Sequence, residues 1–137
     1  MKLLTLILSL MIYNLSFAAE HEGGIHTPNY CSIKNTQSCA HLKFDTFPTS
    51  SEESKFVLHI FSANGKEIQN LKAKLWMDMG DGEGHSSAPV EITSMDELNH
   101  FYIQNAWFVM KGAWQVQVSF IDGAIEQNIN IPLDILK

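Results

Sequence analysis

The stretch from Trp114 to Ile121, WQVQVSFI, alternates apolar and polar side chains without a break, so an extended chain gathers Trp114, Val116, Val118 and Phe120 on one face. Period two sustained over this length is a strand's pattern and excludes a helix there. The same period runs from Ile68 to Met79, with Leu71, Ala73, Leu75, Met77 and Met79 on one side and Lys72, Lys74, Trp76 and Asp78 on the other. Strands that are apolar on one face must bury it against a second layer. In KFVLHIFS, Phe56, Leu58 and Ile60 alternate with Val57, His59 and Phe61, and two largely apolar faces predict a central strand.

Turn residues punctuate these runs. Asn64-Gly65 predicts a type I′ hairpin, and Asp122-Gly123 predicts another ahead of a last strand in AIEQNINIPL. Leu42, Phe44 and Phe47 before Pro48 give a short first strand, and VEIT after Pro89 gives another. HFYIQNAWFVM reads as a strand with Tyr102, Ala106, Phe108 and Met110 on one parity and Gln104 breaking the pattern; SMDELN reads as one helical turn, and GDGEGHSSAP as a loop. About seven short strands with no helical period predict an all-β sandwich of immunoglobulin or cupredoxin-like type.

The first residues, MKLLTLILSLMIYNLSFA, carry one positive charge at Lys2, an apolar run, and small residues at Ser16 and Ala18. They read as a signal peptide (1–18), cut after Ala18 and leaving no stable membrane insertion. A polar segment expected to be flexible (19–40) and the sandwich domain (41–137) follow. Two cysteines, Cys31 and Cys39, are then expected to form a disulfide in an oxidising compartment, the periplasm or beyond. Removing Lys2 takes the formal charge from −6 to −7, and the chain has no arginine. That balance argues against nucleic acid and anionic membrane surfaces as partners.

Chemistry concentrates in LWMDMGDGEGH and, further on, FVMKGAW. Met77, Met79 and Met110 with His85 would supply three thioethers and an imidazole to one end of a sandwich. Such ligands suit Cu(I) and are wrong for Ca²⁺ or Mg²⁺. Against this stands the ordinary use of methionine to fill the end of a core. A second metal site follows from the cut itself: a mature start at Ala19-Glu20-His21 offers an amine, two amides and an imidazole in a square plane for Cu(II) or Ni(II), with His26 as an added ligand. His59, amid apolar neighbours, reads as a packed or half-exposed histidine. HEGGIH lacks the spacing of a zinc-protease helix, and no nucleophile elbow or phosphate loop is present, so no enzymatic activity is expected.

The order of an Asn64-Gly65 turn, a strand ending in M-x-M, a Gly/His loop with a following proline, and F-x-M-x-G-x-W-x-V-x-V at Phe108, Met110, Gly112 and Trp114 resembles the YtkA-like domain family and its FixH relatives. The resemblance covers about residues 55 to 121. It implies an exported β-sandwich linked to copper handling and oxidase biogenesis, and it suggests Met77, Met79, His85 and Met110 as the metal-facing set. Asp78 stands where the family commonly has proline, and Asp81 and Glu83 are additional acids before His85. The function expected is a periplasmic copper chaperone or buffer that exchanges copper with an envelope partner. The alternative is a non-metal immunoglobulin-like interaction module, with Trp76 and Trp107 marking its contact surface.

Overall fold

A computed structural model describes residues 23–34 and 37–137. The described residues form ten strands and no helix: β1 (Ile25–His26), β2 (Tyr30–Cys31), β3 (Cys39–Phe44), β4 (Ser54–Phe61), β5 (Gln69–Gly80), β6 (Glu83–Ser86), β7 (Glu91–Ser94), β8 (His100–Ala106), β9 (Gly112–Asp122) and β10 (Ile125–Ile135). They make two antiparallel sheets. One has the order β1-β3-β4-β8-β7, with β2 also on β3; the other has the order β10-β9-β5-β6. The all-β sandwich expected from the alternation is the fold. Leu42, Phe44, Phe56, Leu58, Ile60 and Ile103 from the first sheet meet Leu75, Trp114, Val116, Val118, Phe120, Ile129 and Ile131 from the second, all buried.

Several local expectations hold. β4 lies between β3 and β8, as its two apolar faces required. β9 buries Trp114, Val116, Val118 and Phe120 and leaves the residues between them half-exposed or exposed. Asp122 opposes Ile125 across a two-residue turn, so the last hairpin forms, with Gly123 at φ 66° supplying the positive dihedral.

Others are corrected. Asn64-Gly65 makes no hairpin, because β4 and β5 belong to different sheets; the turn from Ser62 to Gly65 carries the chain across the sandwich, and only Gly65 of the pair has positive φ. The stretch read as a plain loop after Met79 folds back as β6. Asp81 and Gly82, at φ 53° and 76°, are the two central residues of a tight turn, and Gly80 opposes Glu83 across it. This is a type I′ pattern, which Asp-Gly favours. SMDELN is the turn of the β7–β8 hairpin, closed by Met95 N donating to His100 O and His100 N donating to Glu97 O. Tyr102 faces outward. Phe101 and Ile103 take the inward parity, and an irregularity at Asn105, φ 54°, shifts it so that Ala106 and Phe108 point in.

The Cys31–Cys39 disulfide forms and joins directly opposed residues of β2 and β3. With β1 on Lys43–Phe44 and β2 on Cys39–Ala40, residues from Ile25 on are paired into the sheet, within the segment expected to be flexible. Among the described residues no helix is long and apolar enough to cross a membrane. The predicted signal peptide and Ala19, Glu20 and His21 lie outside the described residues.

Candidate metal centre

Met77 of β5 is opposed by His85 of β6 on one side and by Trp114 of β9 on the other. Directly opposed residues of antiparallel strands project to the same face. Trp114, Met77 and His85 therefore form one row across the four-stranded sheet, running from a buried indole through a half-buried thioether to an exposed imidazole. The Met77 side chain lies over Gly112, where a Cβ would collide with its Cε. Gly112 itself has φ 136°, a conformation that glycine adopts most readily.

The spacing of FVMKGAW has a structural reason. Phe108 and Trp114 are buried and meet edge to face at 5.5 Å. The Trp114 indole N–H donates to the Met110 carbonyl at 2.8 Å, which fixes the backbone of the β8–β9 connection beside β9. Met110 has 38 % of its surface exposed, so its side chain is not packed as a core filler.

Met79 departs from expectation. The alternation predicted that it would look inward like Met77, but the ladder is irregular between Asp78 and Gly80, and Met79 is 57 % exposed. Gly80 N donates to Asp78 Oδ1 at 2.9 Å and shapes that bend. Of the four residues expected to face a metal, register brings Met77 and His85 together. Met110 is tied to the same end through Trp114, and Met79 stands at the strand's exposed tip. Among the described residues no group of three or more His, Cys, Asp or Glu side chains is arranged to hold a metal ion.

A second constellation escaped the sequence. On the outer face of the six-stranded sheet, His41 opposes His59 and His59 opposes His100. The His59 and His100 rings stack at 3.8 Å, His41 meets His59 edge-on at 5.1 Å, and the exposed His26 lies 5.5 Å from His41. Burial pushes His59 down to about 4, with His100 and His41 adding to the shift. His41 is lowered by burial and then by His26 and His100. His59 is half-buried, as expected, but its neighbours are imidazoles; the only sequence signal was a histidine at an outward position in each of three runs.

The chain matches no protein-family model, no curated protein and no solved structure.

Proposed function

We propose that the protein is an exported copper carrier or buffer, holding Cu(I) at the sandwich end with Met77 and His85 as the paired ligands and Met110 and Met79 completing the set. What supports this is the cross-strand pairing of Met77 with His85 beside Gly112, at an end where Met79 and Met110 present thioethers to solvent. Thioethers filling a core would be buried; these two are not. An accessible, soft ligand set lets a partner's ligand displace one thioether at a time and take the ion. Export rests on the predicted signal peptide, and the disulfide fits an oxidising compartment such as the periplasm. The likeness to the YtkA-like family and a square-planar Cu(II) site at a mature Ala19-Glu20-His21 start belong to the same reading.

Competition against a Cu(I) chelator under reducing conditions tests it. Replacing Met77 and Met79 with isoleucine should abolish retention of one Cu(I) while leaving the melting temperature close to that of the parent. Unchanged affinity would remove the site. The rival, an interaction module, draws on Trp107, Val109 and Met110, all exposed on the β8–β9 connection. Under that reading both proteins bind copper only at background.

A further inference from the structure

The outer face of the six-stranded sheet carries three histidines on adjacent strands in direct register, His41, His59 and His100, whereas Met77 and His85 belong to the other sheet. Neighbouring strands hold directly opposed residues about 4.5–5.5 Å apart, close enough for imidazoles to share one ion. The second contacts of these rings are those of metal ligands. His100 Nδ1 lies 2.9 Å from the Leu98 carbonyl oxygen, and His41 Nδ1 lies 3.1 Å from Asn29 Oδ1. Both partners are acceptors, so each Nδ1 is the donor, which leaves Nε2 as the ring atom that a metal would take. A ligating histidine is typically oriented in this way by an oxygen behind it.

One pair of prospective ligands already has the spacing that an ion would need. His100 Nε2 stands 3.3 Å from Glu97 Oε2, an ion pair whenever the imidazole carries its second proton, and a spacing that a metal could bridge in that proton's place. Two ligands about 2.0–2.1 Å from a tetrahedral Zn²⁺ are separated by about 3.3–3.4 Å. The His59 ring stacks on His100 instead of converging with it, which is why the resting side chains hold no ready-made metal group among the described residues. Coordination requires His59 to leave that stack by rotation about its side-chain bonds, which would bring its Nε2 toward the same point.

We infer that Glu97, His100, His59 and His41 form a binding site for a divalent ion of borderline softness, Zn²⁺ being its natural probe, on the face of the sheet opposite the core. The site is independent of the copper reading, since Zn²⁺ has little use for thioethers and prefers imidazole and carboxylate. It also differs from the amino-terminal square-planar site, whose geometry selects Cu(II) or Ni(II).

Titrating the exported chain with Zn²⁺ at neutral pH, followed by long-range ¹H–¹⁵N spectra of the histidine rings, is the test. The expected result is one Zn²⁺ per chain, with the Nε2 signals of His59 and His100 moving on binding. His59→Gln and Glu97→Gln should each weaken binding by at least about tenfold. His85→Gln, His21→Gln and the Met77→Ile, Met79→Ile pair should leave it unchanged. Ring signals that do not move, or binding that disappears with His21, would overturn the site and leave the His100–Glu97 contact an ordinary ion pair. The spectra of the unsubstituted chain distinguish these outcomes even if His59→Gln folds poorly.

Discussion

The Ser38 hydroxyl donates a 2.6 Å hydrogen bond to the Asp122 carboxylate across 84 residues of chain, joining the segment before β3 to the end of β9 and so one sheet to the other. Ser62 Oγ, Asn64 Nδ2 and the Ala63 N–H also donate to Asp122. This explains why the Asn64-Gly65 turn crosses the sandwich: its polar groups dock on a carboxylate in the other sheet.

Burial alone would raise the Asp122 pKa, but the hydrogen bonds from Ser38, Ser62, Asn64 and Ala63 outweigh it and hold the carboxyl below its usual range. A depressed folded-state pKa means that the stabilisation is complete above the unfolded value, about 4, and is lost as pH falls through the folded one. Asp122→Asn should cost roughly 2–3 kcal/mol at pH 7, since it replaces charge-assisted bonds and puts a donor where donors already point. Urea titrations at pH 7 and pH 3 check this. The gap between the two proteins should narrow in acid, and a pH-independent gap would mean that packing alone holds the latch.

Gly112→Ala should destabilise by roughly 1–3 kcal/mol, chiefly because the backbone sits at φ 136°. The new Cβ also meets Met77 Cε, but that is the free end of a flexible side chain and can swing aside at little cost. A double-mutant cycle checks the division: against a Met77→Ala background the same change should cost nearly as much. A cost that largely disappears there would show that the thioether is held rigidly over Gly112.

The parts of the fold that were legible in the sequence are those set by near neighbours. WQVQVSFI fixes its own buried face, and KFVLHIFS declares a central strand covered on one face and partly on the other. The M-x-M strand also carried its parity as far as Met77. It failed at Met79, because the irregularity beyond Asp78 depends on the Asp81-Gly82 turn that folds β6 back. That turn was written in the chain, but Glu83-Gly84-His85-Ser86 contains no residue that favours strands, so nothing nearby said that β6 would pair. The histidine row was beyond local reading. His41, His59 and His100 each look like an isolated outward residue until the register of three strands aligns them.

Asn99 suits its buried place in two ways. Its Oδ1 accepts from Ile68 N at 3.0 Å and its Nδ2 donates to Lys66 O at 2.8 Å, so one side chain in the β7–β8 turn satisfies the backbone leading into β5. It also holds φ 57°, which asparagine tolerates and alanine does not. Asn99→Ala should therefore cost roughly 3 kcal/mol, from an unpaired buried N–H and the backbone penalty together. Asn99→Gly loses the same hydrogen bonds but fits the dihedral, and should be about 1 kcal/mol less damaging. Equal losses in thermal denaturation would leave the hydrogen bonds as the whole effect.

The disulfide closes a short loop, with a sequence separation of 8 between Cys31 and Cys39, so the unfolded chain loses little freedom through it. Chain entropy gives about 2–3 kcal/mol for such a loop. Replacing both cysteines with alanine should lower stability by no more than that. The loss should be local: β2 depends on the bridge and on two residue pairs with β3, whereas β3 is also held along its length by β4. Hydrogen exchange should thus quicken at Tyr30 and Ser32 while amides of β4 and β9 keep their protection. If the whole sandwich loosened equally, the amino-terminal strands would be part of the cooperative core and the bridge would be stabilising the domain as a unit.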